Sequence, residues 1–196
     1  IKALEDAQSR NGKPFPLGNY GAGLGARAGN REGGVGSTSI DLGDGLIVGA
    51  LVAVNCVGSV YMPDGKTYWA QPFAYGDELG GQKGNPNQDA ALQPFPDDSK
   101  TGGSRPGTNT TIGIIATSAK LTSAECKRVA MMAHDGYARA IRPVHTLSDG
   151  DTIFCISGGT KEIPDGPRRS RAISEIGAAA ADTIARAIAR GVYEAQ

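Results

Sequence analysis

The chain has 196 residues, of which 39% are hydrophobic and 20% are charged, a composition typical of a soluble globular domain with its own core. Its 20 basic residues balance its 20 acidic residues, so the formal net charge at pH 7 is zero. This balance argues against nucleic acid or an anionic membrane as a partner, and no run of residues approaches the ~18 apolar residues of a membrane span.

The three cysteines, Cys56, Cys126 and Cys155, are an odd number and have no close spacing. Because all three lie in apolar segments, the pattern favours buried free thiols over a disulfide framework or a zinc site. No signal peptide opens the sequence, which predicts a cytoplasmic protein. The first residue is Ile1 rather than methionine, so we expect the natural N-terminus to lie upstream.

Two strands are predicted in the first half of the chain, after an expected helix end over residues 1–10 and a Gly-rich connection. Residues 37–42 alternate polar and apolar side chains, which indicates a half-exposed strand. Leu46 to Val54 is nearly all apolar, which predicts a strand buried on both faces. A tight Gly-Asp-Gly turn at 43–45 joins the two strands.

The second half begins with a linker and becomes regular after it. Gly, Pro, Asn, Asp, Gln and Ser dominate from Gly76 to Asn109, which predicts a long mobile linker. The later segments are, in chain order, an apolar strand (112–117), a helix from the Thr122-x-x-Glu125 capping box to Pro143, a strand (151–157) and an Ala-rich helix (about 170–194). Helices that cover a sheet are indicated, which places the chain in the α/β class.

The stretch "SRPGTNTTIGIIATSAKL" places Thr110 and Thr111 where the linker ends and a strand begins. A Thr hydroxyl is a weak nucleophile unless a base lies beside it. One solution makes Thr the first residue of a chain, whose own α-amine is the base. This requires a cut between Asn109 and Thr110. On local chemistry alone, both threonines also fit the start of an ordinary β-strand, where β-branched residues are frequent.

Three further polar residues lie at the ends of predicted strands. Asp149 and Asp151 flank Gly150, and extended backbone would point both carboxylates to one face, although an ordinary Asp-Gly turn gives the same pattern. Asn55 ends the apolar strand, where its amide either donates to an oxyanion or holds a loop.

The two histidines, His134 and His145, are eleven residues apart, and the pair lacks metal-ligand spacing. We interpret both as structural. A G-x-S-x-G nucleophile motif is also absent from the sequence, which argues against a Ser-His-Asp hydrolase of that type.

Residues 109–154 resemble the DmpA-like peptidases, which include L-aminopeptidase/D-esterases, β-peptidyl aminopeptidases and endo-type nylon-oligomer hydrolases. The segments "GAGLGARAG" and "GGVGSTS" are similar to Gly-rich segments of that family, and the resemblance covers most of residues 17–196. It implies an αββα four-layer sandwich, with two packed sheets between helix layers. Residues 1–196 would form a single partial domain that lacks the N-terminal part of the fold.

The resemblance also implies site residues and self-cleavage. The nylon-oligomer branch cuts itself between Asn and Thr, as Asn109-Thr110 would here. Thr110 would then be the nucleophile, with Asp149 and Asp151 orienting and activating it and Asn55 donating to the oxyanion. No metal or organic cofactor is implied.

Cleavage would divide the chain into two subunits. Residues 1–109 would be the C-terminal part of an α-subunit that ends in the flexible linker, and residues 110–196 would be the β-subunit. Family members are oligomers, so the resemblance implies a homo-oligomer. Members also have residues upstream of the matched part, so we expect a missing upstream segment of the same protein as a further partner.

The implied activity is hydrolysis of a small peptide or amide oligomer through an acyl-enzyme on Thr110. Two alternatives stay open: acyl transfer to an amine, as in ornithine acetyltransferases, and a non-catalytic member or inactive fragment. Asn30 stands where the nylon-oligomer branch has a catalytic Lys. The substrate is therefore open among α-peptides, β-peptides and 6-aminohexanoate oligomers.

Overall fold

The computed structural model describes residues 5, 9, 12–82, 93–100 and 108–196. The helix end expected over residues 1–10 lies largely outside these residues. Two parts of the predicted linker, 83–92 and 101–107, also lie outside them.

The strands form one small sheet and one main sheet. The small sheet pairs β1 (Arg27–Ala28) with β2 (Arg31–Glu32) in antiparallel fashion. The main sheet has the spatial order β3-β4-β5-β6, with β3 at Val35–Asp41, β4 at Ile47–Ala53, β5 at Ile112–Ala119 and β6 at Thr152–Lys161. The pairs β3–β4 and β4–β5 are antiparallel, whereas β5–β6 is parallel.

Two long helices follow strands β5 and β6. Helix α1 spans Ser123–Ala140 and helix α2 spans Pro167–Tyr193, and two short 3-10 helices lie at Gly21–Gly23 and Gln71–Phe73. The predicted capping box is confirmed, because the Thr122 hydroxyl accepts from the Glu125 backbone N–H at 3.3 Å and the Glu125 carboxylate accepts from the Thr122 N–H at 2.7 Å. Within the described residues, no helix combines the length and apolar content that crossing a membrane requires.

The core lies between the helices and one face of the main sheet. Helix α2 packs on β3 and β4, α1 packs on β6, and the two helices pack on each other. The contact between β3 and α2 is very close, since a Cβ atom on Gly36 would lie 1.8 Å from the carbonyl oxygen of Ala187. The α/β class predicted from the sequence is confirmed, and a parallel β5-α1-β6 unit forms one side of the main sheet.

The other face of the main sheet is open in this chain, which corrects the prediction that Leu46 to Val54 is buried on both faces. In β4, Val48 and Val52 are buried, but Ile47 and Leu51 are 45% and 39% exposed. A continuous apolar run is typical of a doubly covered strand, but helices cover only one face among the described residues. We call this surface the open sheet face; it consists of Ile47, Leu51, Ile112, Phe154 and Ile156.

The described residues therefore form two layers, one of sheet and one of helices, rather than all four layers of the expected sandwich. The prediction for the cysteines is also corrected in part. All three are free thiols, but only Cys56 is fully buried, whereas Cys126 and Cys155 are half-buried because α1 and β6 meet near the protein surface.

Candidate active site

The candidate site lies at one edge of the main sheet, where the end of β4 meets the starts of β5 and β6. Strand β5 is antiparallel to β4 and parallel to β6. Residues that follow β4 therefore meet residues that precede β5 and residues that precede β6 at this edge. Asn55 follows β4, Thr110 precedes β5, and Asp149 and Asp151 precede β6. A single bridge between Asn109 and Asp149 continues the parallel pairing beyond the strand ends.

The Asn109–Thr110 peptide bond is held from several sides. The carbonyl oxygen of Asn109 accepts a hydrogen bond from the Gly150 N–H at 2.9 Å, and the Thr110 hydroxyl lies 2.5 Å from the same oxygen. The Thr110 N–H donates to the carbonyl oxygen of Asn55 at 2.9 Å. The carbonyl is therefore polarised by one backbone donor while the Thr110 hydroxyl lies beside it.

Gly150 makes this arrangement possible because it has no side chain. A Cβ atom built on Gly150 would lie 2.8 Å from the Thr110 hydroxyl oxygen. Since side-chain carbons do not normally approach another atom so closely, any residue other than glycine would push the hydroxyl away. The glycine of the Asp-Gly-Asp segment is thus a spatial requirement of the site.

The two carboxylates accept hydrogen bonds from backbone N–H groups near Thr110. Asp151 accepts from the Thr111 N–H at 2.8 Å, and its side chain is only 3% exposed. Asp149 accepts from the Val57 N–H at 3.0 Å and, through its second oxygen, from the N–H and hydroxyl of Thr146 at 3.0 and 2.7 Å. In the uncleaved chain the carboxylates therefore fix the strand ends, while the Thr110 nitrogen itself donates to Asn55.

Asn55 lies beside the segment that precedes the Asn109–Thr110 bond. Its side-chain NH2 donates to the carbonyl oxygen of Thr108 at 3.0 Å, one residue upstream of the Asn109 carbonyl. Its side-chain oxygen accepts from the Arg27 N–H at 3.0 Å and from the Lys100 ammonium at 3.2 Å. The amide predicted to bind an oxyanion is thus oriented toward the chain that cleavage would release.

Lys100 is a site residue that the sequence did not indicate. Its ammonium donates to the side-chain oxygens of Asn109 at 2.8 Å and Asn55 at 3.2 Å. Burial lowers the pKa of Lys100. No periodicity or motif marks Lys100 within its polar, Gly-rich surroundings, and its position depends on the backbone bond from its N–H to the Val57 carbonyl, at 2.9 Å.

Asn30, which the sequence comparison placed where the nylon-oligomer branch is expected to have a Lys, supports the segment that carries Lys100. Its backbone N–H donates to the Asp98 carbonyl at 2.7 Å, and its side-chain NH2 donates to the Asp97 and Ser99 carbonyls at 3.4 and 3.2 Å. The ammonium that contacts Asn55 and Asn109 therefore belongs to Lys100, whereas residue 30 contributes an uncharged amide.

His145 also joins the site, although the sequence was interpreted as giving it a structural role only. Its Nδ1 lies 2.7 Å from the second carboxylate oxygen of Asp151, and its backbone has a φ of +53°. A non-glycine residue in this region is uncommon and indicates that the surroundings hold it there. In the sequence, its position six residues before Asp151, in the same turn, indicated that it could lie close to that carboxylate.

Two side chains of α1, His134 and Tyr137, lie against the His145 ring. The ring centroids of His134 and Tyr137 lie 5.1 and 5.8 Å from that of His145. Burial lowers the pKa of His134, and the neighbouring His145 lowers it further. The buried Tyr137 hydroxyl lies 3.1 Å from the Thr111 carbonyl oxygen and 3.3 Å from that of Thr152, so it ties α1 to the starts of β5 and β6.

Cys56, which follows Asn55, is not a competing nucleophile. Burial raises the pKa of its thiol to about 12, so it stays protonated near neutral pH, and it donates to the Gly58 carbonyl. In the part of the chain that the structure describes, no group of three or more His, Cys, Asp or Glu residues is placed to hold a metal ion.

The fold is shared with a solved hydrolase structure. The structure of L-aminopeptidase D-Ala-esterase/amidase from Ochrobactrum anthropi, described as a variant of the Ntn hydrolase fold, superposes with a TM-score of 0.61 at 20% identity, covering 93% of this chain and 46% of that chain. The chain belongs to Peptidase family S58, whose sequence profile matches residues 1–196.

Two curated relatives carry names that describe peptide or amide hydrolysis. An uncharacterized aminopeptidase of Mycobacterium tuberculosis is 41% identical over an alignment of 192 positions, which covers 94% of this chain and 55% of that protein. A 6-aminohexanoate-oligomer endohydrolase of Agromyces sp. is 32% identical over an alignment of 180 positions, which covers 87% of this chain and 48% of that protein. The chain thus spans about half the length of these relatives.

Proposed function

We propose that the protein is an amide hydrolase that activates itself by cutting the Asn109–Thr110 bond and then uses Thr110 as an N-terminal nucleophile. The observation that carries this proposal is the position of the Thr110 hydroxyl, 2.5 Å from the oxygen of a carbonyl that the Gly150 N–H polarises. The products of cleavage are residues 1–109 and 110–196. Membership of Peptidase family S58 supports the same reaction class.

In self-cleavage the Thr110 hydroxyl oxygen attacks the carbonyl carbon of Asn109. The negative charge that develops on the carbonyl oxygen is stabilised by the Gly150 N–H. The C–N bond then breaks, the nitrogen takes the proton that the hydroxyl loses, and an ester links Asn109 to Thr110. Water hydrolyses this ester, which gives a carboxylate on Asn109 and a free hydroxyl and α-amine on Thr110.

In substrate hydrolysis the new α-amine is the base. With a pKa of about 8 for an unperturbed α-amine, it accepts the hydroxyl proton near neutral pH. The Asn55 carbonyl holds this nitrogen in place, while Asp149 and Asp151 fix the backbone at Val57 and Thr111. An acyl-enzyme forms on Thr110, the amine product leaves, and water releases the acid.

Departure of the cleaved segment prepares the oxyanion site. The Asn55 side-chain NH2 donates to Thr108 in the precursor, and it becomes available when residue 108 leaves. It then donates to the oxyanion of the substrate. Because the loss of one oxyanion donor lowers the rate by ~10²–10³, Asn55→Ala should reduce turnover by that factor without preventing folding.

The test is a panel of aminoacyl anilides, β-peptides and 6-aminohexanoate oligomers, with free amine and free acid as products. The wild type should release both from at least one class, and Asn55→Ala should be slower on the same compound. Hydrolysis by Asn55→Ala at the wild-type rate would contradict the assigned role. Transfer of the acyl group to an added amine, with no free acid, would instead indicate an acyltransferase.

The open sheet face is proposed to pack against the remainder of a protein of the relatives' length. The support is twofold: the chain spans about half of those relatives, and the five residues of this face are large, apolar and at least 39% exposed. A contiguous apolar face of this kind marks a contact surface. The cover supplied there would be the second sheet of the sandwich.

A further inference from the structure

The side chain of Asn109 lies in a polar pocket of its own. Asn109 is 3% exposed, its side-chain oxygen accepts from the Lys100 ammonium at 2.8 Å, and its NH2 donates to the Thr108 hydroxyl at 3.2 Å. Lys100 is itself anchored through its backbone N–H on the Val57 carbonyl. The residue that donates the acyl group in self-cleavage is therefore recognised through its side-chain oxygen.

We propose that Lys100 determines specificity for the acyl side of the reaction, first for Asn109 and then for the substrate. This inference rests on the proposed function. One nucleophile performs both reactions, so the reacting carbonyl carbon occupies the same position next to Thr110 in each. The substrate side chain attached to that carbonyl then enters the pocket that Asn109 leaves.

The chemistry of the pocket defines the substrate class. The ammonium of Lys100 is a donor without acceptor capacity, so it selects an acyl residue with a carbonyl or carboxylate oxygen on Cγ, as in asparaginyl and aspartyl groups. Apolar side chains of the same size leave the ammonium with Asn55 but without the acceptor that Asn109 supplies, and cationic side chains are repelled. Since a hydrogen bond to a charged group is worth about 10- to 100-fold in binding or rate, the preference should have that size.

The contact with Asn109 is tested through self-cleavage of the protein. We would measure the rate of fragment formation for the wild type, Lys100→Met, Asn109→Leu and the double variant, with Lys127→Met, an exposed lysine on α1, as the matched control. Lys100→Met should slow cleavage about 10- to 100-fold with Asn109 present and have much less effect in the Asn109→Leu background. An equal slowing in both backgrounds would overturn the proposal, because Lys100 would then act only through Asn55.

The substrate side is tested on the wild-type protein, so the result does not depend on a variant that fails to fold. Asparaginyl, aspartyl and leucyl anilides are compared by kcat/KM, leucine being similar in shape to asparagine. The Asn/Leu ratio should be at least about 10, and it should approach 1 in any Lys100→Met protein that matures. Equal hydrolysis of all three overturns this inference and leaves the proposed function standing; no hydrolysis and no fragment overturns both.

Discussion

Gly150 is the residue on which the geometry at the Asn109–Thr110 bond depends most directly. Its N–H binds the Asn109 carbonyl at 2.9 Å, and its missing side chain leaves room for the Thr110 hydroxyl. The flanking Asp149 and Asp151 hold the backbone at Val57 and Thr111. Asp149, Gly150 and Asp151 thus position the Asn109–Thr110 bond, the N–H that binds its carbonyl, and the backbone at the end of β4 and the start of β5.

Gly150→Ala should slow self-cleavage by about 10²-fold, because a methyl group 2.8 Å from the hydroxyl oxygen displaces the nucleophile from the carbonyl. The fold should persist, since Gly150 is exposed. The measurement is the time course of fragment appearance on a denaturing gel. Leu147→Ala, at a fully exposed position of the same turn, is the control; equal rates for the two variants would refute the steric explanation.

The sequence predicted part of this site and missed the rest for a physical reason. Thr110, Asn55 and the two aspartates were identified from strand ends and from a family resemblance, and the structure brings them together at one edge of the sheet. Lys100 was missed because its position depends on a backbone bond to Val57, more than forty residues away in the chain. The role of His145 was missed because its contact with Asp151 depends on an unusual backbone conformation, with a φ of +53°.

At the scale of the elements, the N-terminus of α1 is tied to that of α2. The Arg169 guanidinium donates to both oxygens of Glu125, at 2.6 and 2.9 Å, while Glu125 also completes the capping box. The pattern Thr-x-x-Glu predicted the cap. It did not predict that Arg169 binds Glu125, because α1 and α2 meet only in the tertiary fold. The strand pattern had the same limit, since it predicted β4 correctly but not which face is covered.

Glu125→Gln should lower stability by about 1 kcal/mol or less at pH 7, because the neutral side chain keeps the cap but loses the ion pair. The hydrogen bonds from Arg169 lower the pKa of Glu125 to about 2, from an ordinary value of 4.5. The stabilisation is therefore present above pH 4.5 and is lost as the pH falls toward 2. Denaturant unfolding of both proteins from pH 2 to 7 measures this; a difference that does not depend on pH would argue against the ion pair.

At the scale of the whole molecule, the open sheet face lies next to the candidate site. Ile112, which belongs to this face, is two residues from Thr110, and Leu51 and Phe154 lie opposite Ile114 in the sheet register. A segment that packed on this face would therefore also border Thr110. Assembly of the sheet pair and completion of the site are expected to depend on the same contact.

Replacing Leu51 and Phe154 together by Lys should strongly reduce binding of the dye 1-anilinonaphthalene-8-sulfonate by this chain alone, since the dye reports exposed apolar surface. In a protein of the relatives' length the same two substitutions should destabilise the fold by several kcal/mol, because two lysine charges become buried. Met131→Lys, on an exposed position of α1, is the matched control. Full stability of the longer double variant would show that the face stays open.

The central claim is that Thr110 becomes the first residue of its own chain, and the mass of the purified protein tests it most directly. Wild type should give one species that ends at Asn109 and another that begins at Thr110. Thr111→Val should do the same, because it keeps the N–H that Asp151 binds and removes only a buried hydroxyl without a hydrogen-bond partner among the described residues. Thr110→Val should stay uncut. A wild-type chain that remains intact for days, or a Thr110→Val chain cut at the wild-type rate, would contradict the account.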